Sequence, residues 1–200
     1  MTEPLRIIVA DDEPDMLDFY QTMLTAQGHD VIATAENGMQ LVTLALQYEP
    51  DLIITDIRMP KKDGLSAVRD ITFQNPIAAI VVSAYTDDEY IEQAKQDCLL
   101  AYLVKPIRAA DLSPAIALAR QRFQEFQALQ RQADNLRQSL EDRKIIERAK
   151  GILIDNCRLS EKEAFLRLRK LSNDRNEKLV NIARAIVSAE AAFESTPAAS

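Results

Sequence analysis

Five residues that could carry phosphoryl-transfer chemistry stand at the ends of short apolar runs. Asp11 and Asp12 follow one run, Asp56 and Ser83 end two others, and Lys105 follows a fourth. Three carboxylates placed together repel one another and need a cation, and an oxygen-only set without His or Cys favours Mg²⁺. A lysine can balance an added anion, and a hydroxyl can donate a hydrogen bond to it. These residue types therefore predict phosphoryl transfer to a carboxylate, with Mg²⁺ as the cofactor.

The elements that must position these residues form a doubly wound α/β pattern. Apolar runs rich in Ile and Val alternate with segments of helical period, as in a buried parallel sheet with helices on both faces. Ligands of such folds bind at the carboxyl ends of the strands, so the five residues are expected to share one crevice. The predicted strands are 5–10, 31–34, 51–55, 78–83 and 100–104, and the predicted helices lie near 14–27, 38–48, 65–74 and 88–97, with another from 109.

From about residue 112 the sequence predicts only helices. Ala, Gln, Arg, Glu and Leu dominate residues 115–150, and all are good helix formers. Ser160 with Glu163 has the spacing of a capping box, which predicts a new helix start, and a last amphipathic helix is expected over 177–192. Apolar residues at seven-residue steps predict either a coiled-coil seam or a long helix packed on its own chain. They are Leu112, Ala119, Phe126, Ala133 and Leu140 in one register, and Ala115, Leu129 and Leu136 in the other.

Charge divides the chain into two parts. Residues 1–111 hold 19 Asp and Glu against 8 Lys and Arg, a net charge of −11, whereas residues 112–200 hold 12 against 16, a net charge of +4. Two domains with different partners are expected from this contrast. Within the second part, residues 143–184 hold 12 basic and 6 acidic residues. This surplus is typical of a nucleic-acid-binding surface, although a merely solvated helix face is the alternative.

Several protein classes are disfavoured by composition. No apolar run approaches the ~20 residues that cross a bilayer, and the N-terminus lacks the basic start and apolar stretch of a secretory signal. Cys98 and Cys157 stand one in each half, which gives neither a disulfide framework nor a zinc site. The single histidine, His29, lies in a turn and is interpreted as a structural or surface residue. We therefore expect a cytoplasmic protein with no membrane partner.

The first half resembles the receiver domain of two-component response regulators, a flavodoxin-like fold. The motifs VADDE, DIRMPKKDG, SAY and YLVKP carry the resemblance over residues 5–122, and Cys98 departs from it where the family usually has Gly. The resemblance implies a sensor histidine kinase as partner. It also implies a role for each matching residue: Asp56 as phosphoacceptor; Asp11, Asp12, Asp56 and the Arg58 carbonyl as Mg²⁺ ligands; Ser83 and Lys105 as phosphoryl contacts; and Ser83 and Tyr102 as the switch.

The second half is similar to the ANTAR domain, the RNA-binding module of transcription antitermination regulators. RKIIERAKGILI and LSEKEAFLRLRKLSNDRNEKLVNIARAIV carry this resemblance, with Ser172 where the family usually has Ala. Ala149 and Gly151 are expected to allow close helix packing. The resemblance implies binding of RNA stem-loops in nascent transcripts. The candidate RNA-binding residues are Arg143, Lys144, Arg148, Lys150, Arg167, Arg169, Lys170 and Arg175.

These observations predict four segments and one leading function. The segments are a receiver domain at 1–122, a helical or coiled-coil linker at 123–142, a small all-α three-helix ANTAR domain at 129–190 that overlaps the linker, and a flexible tail at 191–200. The predicted function is that of a regulator and not an enzyme: a phosphorylation-regulated antiterminator that binds RNA stem-loops and forms a homodimer on activation. The alternatives are a response regulator that binds DNA and one that binds a protein.

Overall fold

The computed structural model of the chain describes residues 3–84 and 100–194. The chain divides into two compact units, Met1–Leu129 and Gln130–Ser200. The predicted helix near 88–97 and the position of Cys98 lie outside the described residues, as does most of the predicted tail.

The first unit is a five-stranded parallel sheet in the order β2-β1-β3-β4-β5. Helices cover both of its faces, so the predicted doubly wound fold is confirmed. The strands are β1 Arg6–Ala10, β2 Asp30–Ala35, β3 Leu52–Asp56, β4 Ala78–Ser83 and β5 Leu100–Val104, and the helices described between them are α1 Pro14–Ala26, α2 Gly38–Tyr48 and α3 Gly64–Gln74.

Alternation along the buried strands builds two cores, one on each face of the sheet. Ile8 and Ile53 contribute to the core that α2 and α3 cover, whereas Ile7 and Ile54 contribute to the core that includes α1 residues. Every residue of β3 and β4 is buried, because these strands are enclosed on both faces. The sheet is therefore a rigid frame that ends in the polar residues of the crevice.

Helix α4 spans Ala109–Cys157 without interruption, and Pro114 lies within its first two turns. Leu112, Ala115 and Ala119 are buried in the core of the first unit. Of the two arrangements that the heptad pattern predicts, these three positions follow the long helix packed on its own chain, because the core of the first unit covers them. The later apolar positions differ, since Leu129, Leu136 and Leu140 are 66%, 64% and 53% exposed.

The second unit packs the end of α4 against α5, Glu161–Arg175, and α6, Leu179–Glu194. Its core is small, and the prediction of an all-α module of three helices is confirmed. The predicted capping box is also present: the Ser160 hydroxyl accepts from the Glu163 N–H, and the Glu163 carboxylate accepts from the Ser160 N–H at 2.9 Å. The core residues are Ala149, Leu153, Ala164, Leu168, Ile182 and Ala183.

Two small residues of this unit play different parts from each other. Ala149 is completely buried in the core, as expected. Gly151 does not serve close packing, because a Cβ built on it would meet no described atom within 4 Å other than those of its chain neighbours and the adjacent helix backbone. The expectation for Gly151 is therefore wrong. The hydroxyl of Ser172 has a hydrogen-bond partner, because it donates to the carbonyl oxygen of Glu177 at 2.6 Å.

His29 is a structural residue of the first unit. Its side chain is buried, and its Nδ1 accepts a hydrogen bond from the Leu5 N–H at 3.3 Å. Within residues 3–84 and 100–194, no helix is long and apolar enough to cross a membrane.

Candidate functional site

Asp56 is the last residue of β3 and is only 5% exposed. One carboxylate oxygen, Oδ1, lies 2.8 Å from the Lys105 Nζ, and the other, Oδ2, accepts from the Arg58 N–H at 2.6 Å. Lys105 reaches this point because it directly follows β5 at the same edge of the sheet. The two contacts fix the orientation of the carboxylate.

Asp11 forms the second acidic position, directly after β1, and its side chain is completely buried. Its Oδ2 lies 3.1 Å from the Lys105 Nζ, and its Oδ1 accepts from the Glu13 N–H at 3.0 Å. Lys105 therefore bridges Asp11 and Asp56 with one ammonium group. Asp12, the neighbouring acid, is exposed to solvent.

Burial and charge act in opposite directions on these groups. Burial raises the pKa of both Asp11 and Asp56 above the ordinary value, and it outweighs the opposing effect of Lys105 and of the backbone N–H donors. Burial also disfavours the charge on Lys105, but its hydrogen bond and charge interaction with Asp56 and its interaction with Asp11 outweigh burial and raise the pKa of Lys105. The lysine therefore carries its charge at neutral pH beside a carboxylate whose basicity is increased.

Ser83 and Tyr102 lie on the neighbouring strands β4 and β5. Ser83 is 1% exposed and donates its hydroxyl hydrogen to the Tyr102 hydroxyl oxygen at 3.3 Å. The Lys105 N–H donates to the Ser83 carbonyl oxygen at 2.8 Å, so the backbone also joins these strand ends. The two residues with a predicted switch role are thus in direct contact.

The oxygen-rich edge of the crevice suits Mg²⁺ by its donor chemistry. Among the described residues, no three Asp, Glu, His or Cys side chains are grouped closely enough to hold a metal ion by themselves. Mg²⁺ does not require such a group, because it usually binds through one or two carboxylates and keeps several waters. The buried Asp11 and Asp56, the exposed Asp12 and the Arg58 carbonyl therefore fit this ion as a ligand set.

Three further residues contribute to the site although sequence reasoning did not assign them. The Glu13 carboxylate lies 3.5 Å from the Lys105 Nζ, and the Thr55 hydroxyl donates to the Asp56 carbonyl oxygen at 3.0 Å. Gly64 begins α3, and a Cβ built on it would lie 1.9 Å from the same carbonyl oxygen. The acid after the Asp pair and the Asp-Gly dipeptide after β3 were the sequence signals for two of them.

The candidate RNA-binding residues of the second unit are mostly exposed. Arg143, Lys144 and Arg148 project from α4 into solvent, and Lys144 pairs with Glu141 at 3.1 Å. The four candidates of α5 are also exposed: Arg167, Arg169, Lys170 and Arg175.

Lys150 differs from the other candidates. It is 8% exposed, and its Nζ lies 2.9 Å from carboxylate oxygens of both Glu147 and Glu161. Hydrogen bonds with Glu161 and then Glu147 raise its pKa above the ordinary value. Because Glu161 is the first residue of α5, Lys150 joins α4 to α5 through a charged hydrogen bond.

Family comparisons match the two units separately. The response regulator receiver domain matches residues 7–117, and the ANTAR domain matches residues 134–187. The transcriptional regulatory protein PdtaR of Mycobacterium tuberculosis (strain H37Rv) is 34% identical over 184 residues, which cover 92% of this chain and 90% of PdtaR.

Solved structures resemble the first unit. A two-component transcriptional regulator AraC from Clostridium phytofermentans ISDg is 29% identical with a TM-score of 0.55, and it covers 62% of this chain and 98% of its own. A response regulator receiver domain protein from Clostridium thermocellum is 30% identical with a TM-score of 0.53 over the same shares of the two chains.

Proposed function

Because the chain belongs to the response regulators that join a receiver domain to an ANTAR domain, we propose that it is a phosphorylation-regulated antiterminator that binds RNA stem-loops. One observation carries the proposal. A single helix, α4, contributes buried residues both to the receiver core and to the core of the second unit. A change at the start of this helix therefore has a continuous covalent and hydrogen-bonded route to its end.

The signal enters as a phosphoryl group from a sensor histidine kinase. An Asp56 carboxylate oxygen forms a bond to phosphorus while the bond between phosphorus and the kinase imidazole nitrogen breaks. The electron pair of the broken bond stays on the imidazole, which then takes up a proton. Asp11, Asp12, Asp56 and the Arg58 carbonyl would hold Mg²⁺, which when bound neutralises charge on the phosphoryl oxygens. Lys105 supplies a second positive charge at 2.8 Å from Asp56.

The switch is an exchange of hydrogen-bond partners at Ser83. Its hydroxyl donates to Tyr102 in the unphosphorylated chain. A phosphoryl group on Asp56 adds about −1.5 to −2 charge and strong acceptor oxygens, which compete for the same hydrogen. Once Ser83 donates to the phosphoryl group, Tyr102 loses that hydrogen bond. The local electrostatic event thereby biases a two-state element.

The output is RNA binding by the second unit, with Arg143, Lys144 and Arg148 of α4 and Arg167, Arg169, Lys170 and Arg175 of α5 as phosphate contacts. Their exposure supports this role. Lys150 was a candidate of the same kind, but its two carboxylate partners neutralise it. We assign Lys150 a positioning role, in which it holds the start of α5 against α4.

Homodimerisation on activation is the second part of the output. Leu129, Leu136 and Leu140 are more than half exposed on α4, where they form the later part of the heptad pattern with Phe126 and Ala133. A second copy of the helix would cover these side chains. Leu136→Asp with Leu140→Asp should weaken any dimer seen by sedimentation. A wild type that remains monomeric with and without phosphorylation would contradict the seam.

Crosslinking in cells followed by sequencing of the bound RNA tests the function. We expect stem-loops in transcript leaders. Binding assays then compare a recovered stem-loop with duplex DNA of the same sequence. Preference for the stem-loop supports the proposal, preference for the duplex indicates a DNA-binding regulator, and binding of neither indicates a protein-binding regulator. Each phosphate contact adds up to ~0.9 to the slope of log affinity against log salt.

Arg148→Glu with Arg169→Glu should weaken binding and flatten this salt dependence. The matched control is Arg108→Glu with Arg131→Glu, which makes the same change of charge at exposed positions outside the proposed surface. Equal losses in both double variants would show that net charge alone, and not this surface, determines the affinity.

A further inference from the structure

One sector of α5 combines exposed apolar and basic side chains. Phe165 and Leu166 are 41% and 52% exposed, an unusual degree for large apolar residues of a small module. Arg169 and Asn173 follow Phe165 at steps of four residues, and Lys162 precedes Phe165 by three residues, about one turn. All five belong to one helix, so their mutual arrangement follows from the helix itself.

Successive residues of an α-helix are rotated by about 100°, which separates the exposed residues of α5 into two groups. Ala164 and Leu168 face the core and define the inner side of the helix. The second group, around Arg167, includes the acids Glu163 and Asp174. The first group occupies a sector of roughly 100° that contains no acidic residue. We name this sector the Phe165 face; it consists of Lys162, Phe165, Leu166, Arg169 and Asn173.

The charges of the Phe165 face are available to a ligand. Lys162 and Arg169 are exposed, and neither forms an ion pair with any residue in the described part of the chain. They differ in this respect from Lys144, which pairs with Glu141, and from Lys150, which pairs with two acids. An unpaired guanidinium one turn from an exposed aromatic ring can contact a phosphate or stack on a base.

We propose that the Phe165 face binds the unpaired bases of an RNA loop and determines which loops the protein selects. This inference rests on the proposed RNA-binding function and extends it from phosphate contacts to base recognition. Phe165 stacks on one unpaired base, Arg169 and Lys162 contact the flanking phosphates, and the Asn173 amide offers a donor and an acceptor to a base edge.

Charge complementarity decides the class of partner. The sector carries two cations, one amide and no carboxylate beside its apolar side chains, which suits a polyanion that also presents flat apolar surfaces. Paired RNA offers phosphates but keeps its bases stacked inside the helix, and its deep major groove excludes side chains. Unpaired loop bases offer both features together, so the loop rather than the stem is the part that this face recognises.

A selection experiment with the full-length protein tests the proposal. The probe is a pool of hairpin RNAs with one constant stem and a randomised loop, and the protein is used with and without acetyl phosphate and Mg²⁺. Wild-type protein should enrich a restricted set of loops. Phe165→Ala should lower affinity for an enriched hairpin by roughly 5- to 100-fold, the range for loss of one stacked base.

Two controls isolate stacking from general disruption. Phe165→Trp keeps an aromatic ring and should retain the affinity and the loop preference. Phe73→Ala removes a phenylalanine that is 92% exposed on α3, and it should change neither. Replacement of the loop bases by abasic sites removes the bases that Phe165 stacks on but keeps every phosphate. It should therefore weaken binding by the wild type and have little further effect on binding by Phe165→Ala.

Each other outcome overturns the inference in a distinguishable way. If wild type binds no hairpin of the pool, the proposed RNA-binding function fails and the inference fails with it. If a Phe165→Ala chain with unchanged circular dichroism enriches the same loops as tightly as wild type, the RNA-binding function stands but this face does not read the loop. The same holds if Phe165→Ala abolishes a self-association of the chain and leaves RNA affinity intact, because the face then binds a second copy.

Discussion

The two units use charge in opposite ways. In the receiver, Lys105 lies between two buried carboxylates at strand ends, so its charge is held in one place by the sheet. In the second unit most candidate bases are exposed on helix surfaces, and Lys144 pairs with a single exposed acid, Glu141. A buried charge network is sensitive to each of its members, whereas an exposed surface distributes its effect over many residues. We therefore expect the loss of a single charge to lower stability strongly in the receiver and only slightly in the second unit.

Gly64 in the receiver and Gly151 in the second unit provide the sharpest form of this comparison, and Gly64→Ala has the larger expected effect. Gly64→Ala should lower the free energy of unfolding by at least about 3 kcal/mol and should abolish phosphorylation, because the new Cβ would overlap the Asp56 carbonyl oxygen and no flexible side chain can move aside. Thermal denaturation and labelling with acetyl phosphate measure the two effects. A Gly64→Ala chain of wild-type stability would contradict the packing described at the end of β3.

Two lysine–carboxylate pairs come next in expected size. Lys105→Met should destabilise the receiver by about 3 kcal/mol at neutral pH without Mg²⁺, because it leaves the buried Asp11 and Asp56 without a counter-charge. Lys144→Met should change stability by less than about 0.5 kcal/mol, because its partner is exposed. Urea denaturation compares the two variants. Equal changes would show that burial does not distinguish the pairs.

Gly151→Ala should raise the free energy of unfolding, whereas Gly64→Ala should lower it. The position lies inside α4, and beyond its chain neighbours and the adjacent helix backbone no described atom lies within 4 Å of a new Cβ. Alanine should therefore stabilise the second unit by up to about 1 kcal/mol through helix propensity. The measurement is thermal denaturation followed by circular dichroism. A loss of stability would contradict the open space beside Gly151.

The smallest expected effect concerns pH. Burial lowers the pKa of His29, with a further contribution from Arg120, and Nδ1 must stay unprotonated to accept from Leu5. The unfolded chain therefore takes up this proton more readily, so the stabilisation is present above the ordinary value of 6.5 and is lost as the pH falls below it. His29→Asn should reduce the loss of melting temperature between pH 7.5 and 5.5. An identical pH profile in both chains would contradict this role.

The sequence predicted the receiver and its crevice well because the information is local. Runs of Ile and Val define the strands, and the parallel order brings their polar ends together without any knowledge of distances. The Ser160 capping box is equally local, since it depends on two residues three apart. The contacts of Glu13 and Lys150 were harder to predict, because their partners, Lys105 and Glu161, belong to other elements of the chain.

The heptad pattern shows the limit of a periodic signal. Leu112 and Leu140 belong to the same heptad register, yet Leu112 is completely buried in the receiver and Leu140 is 53% exposed. Periodicity reports which side of a helix is apolar but not what covers it. The same limit applies to Gly151, where a glycine suggested close packing and the structure leaves the space beside it open.

The central claim is that phosphorylation of Asp56 controls RNA binding by the second unit. Its most direct test measures the affinity of one recovered stem-loop RNA for the full-length protein with and without acetyl phosphate and Mg²⁺, in wild type and in Asp56→Asn. Asp18→Asn, a change at an exposed acid of α1, serves as the control. We predict one phosphoryl group and about 5- to 150-fold tighter binding in wild type and in the control, and neither in Asp56→Asn. Unchanged affinity of the phosphorylated protein, or undiminished labelling of Asp56→Asn, would contradict the account.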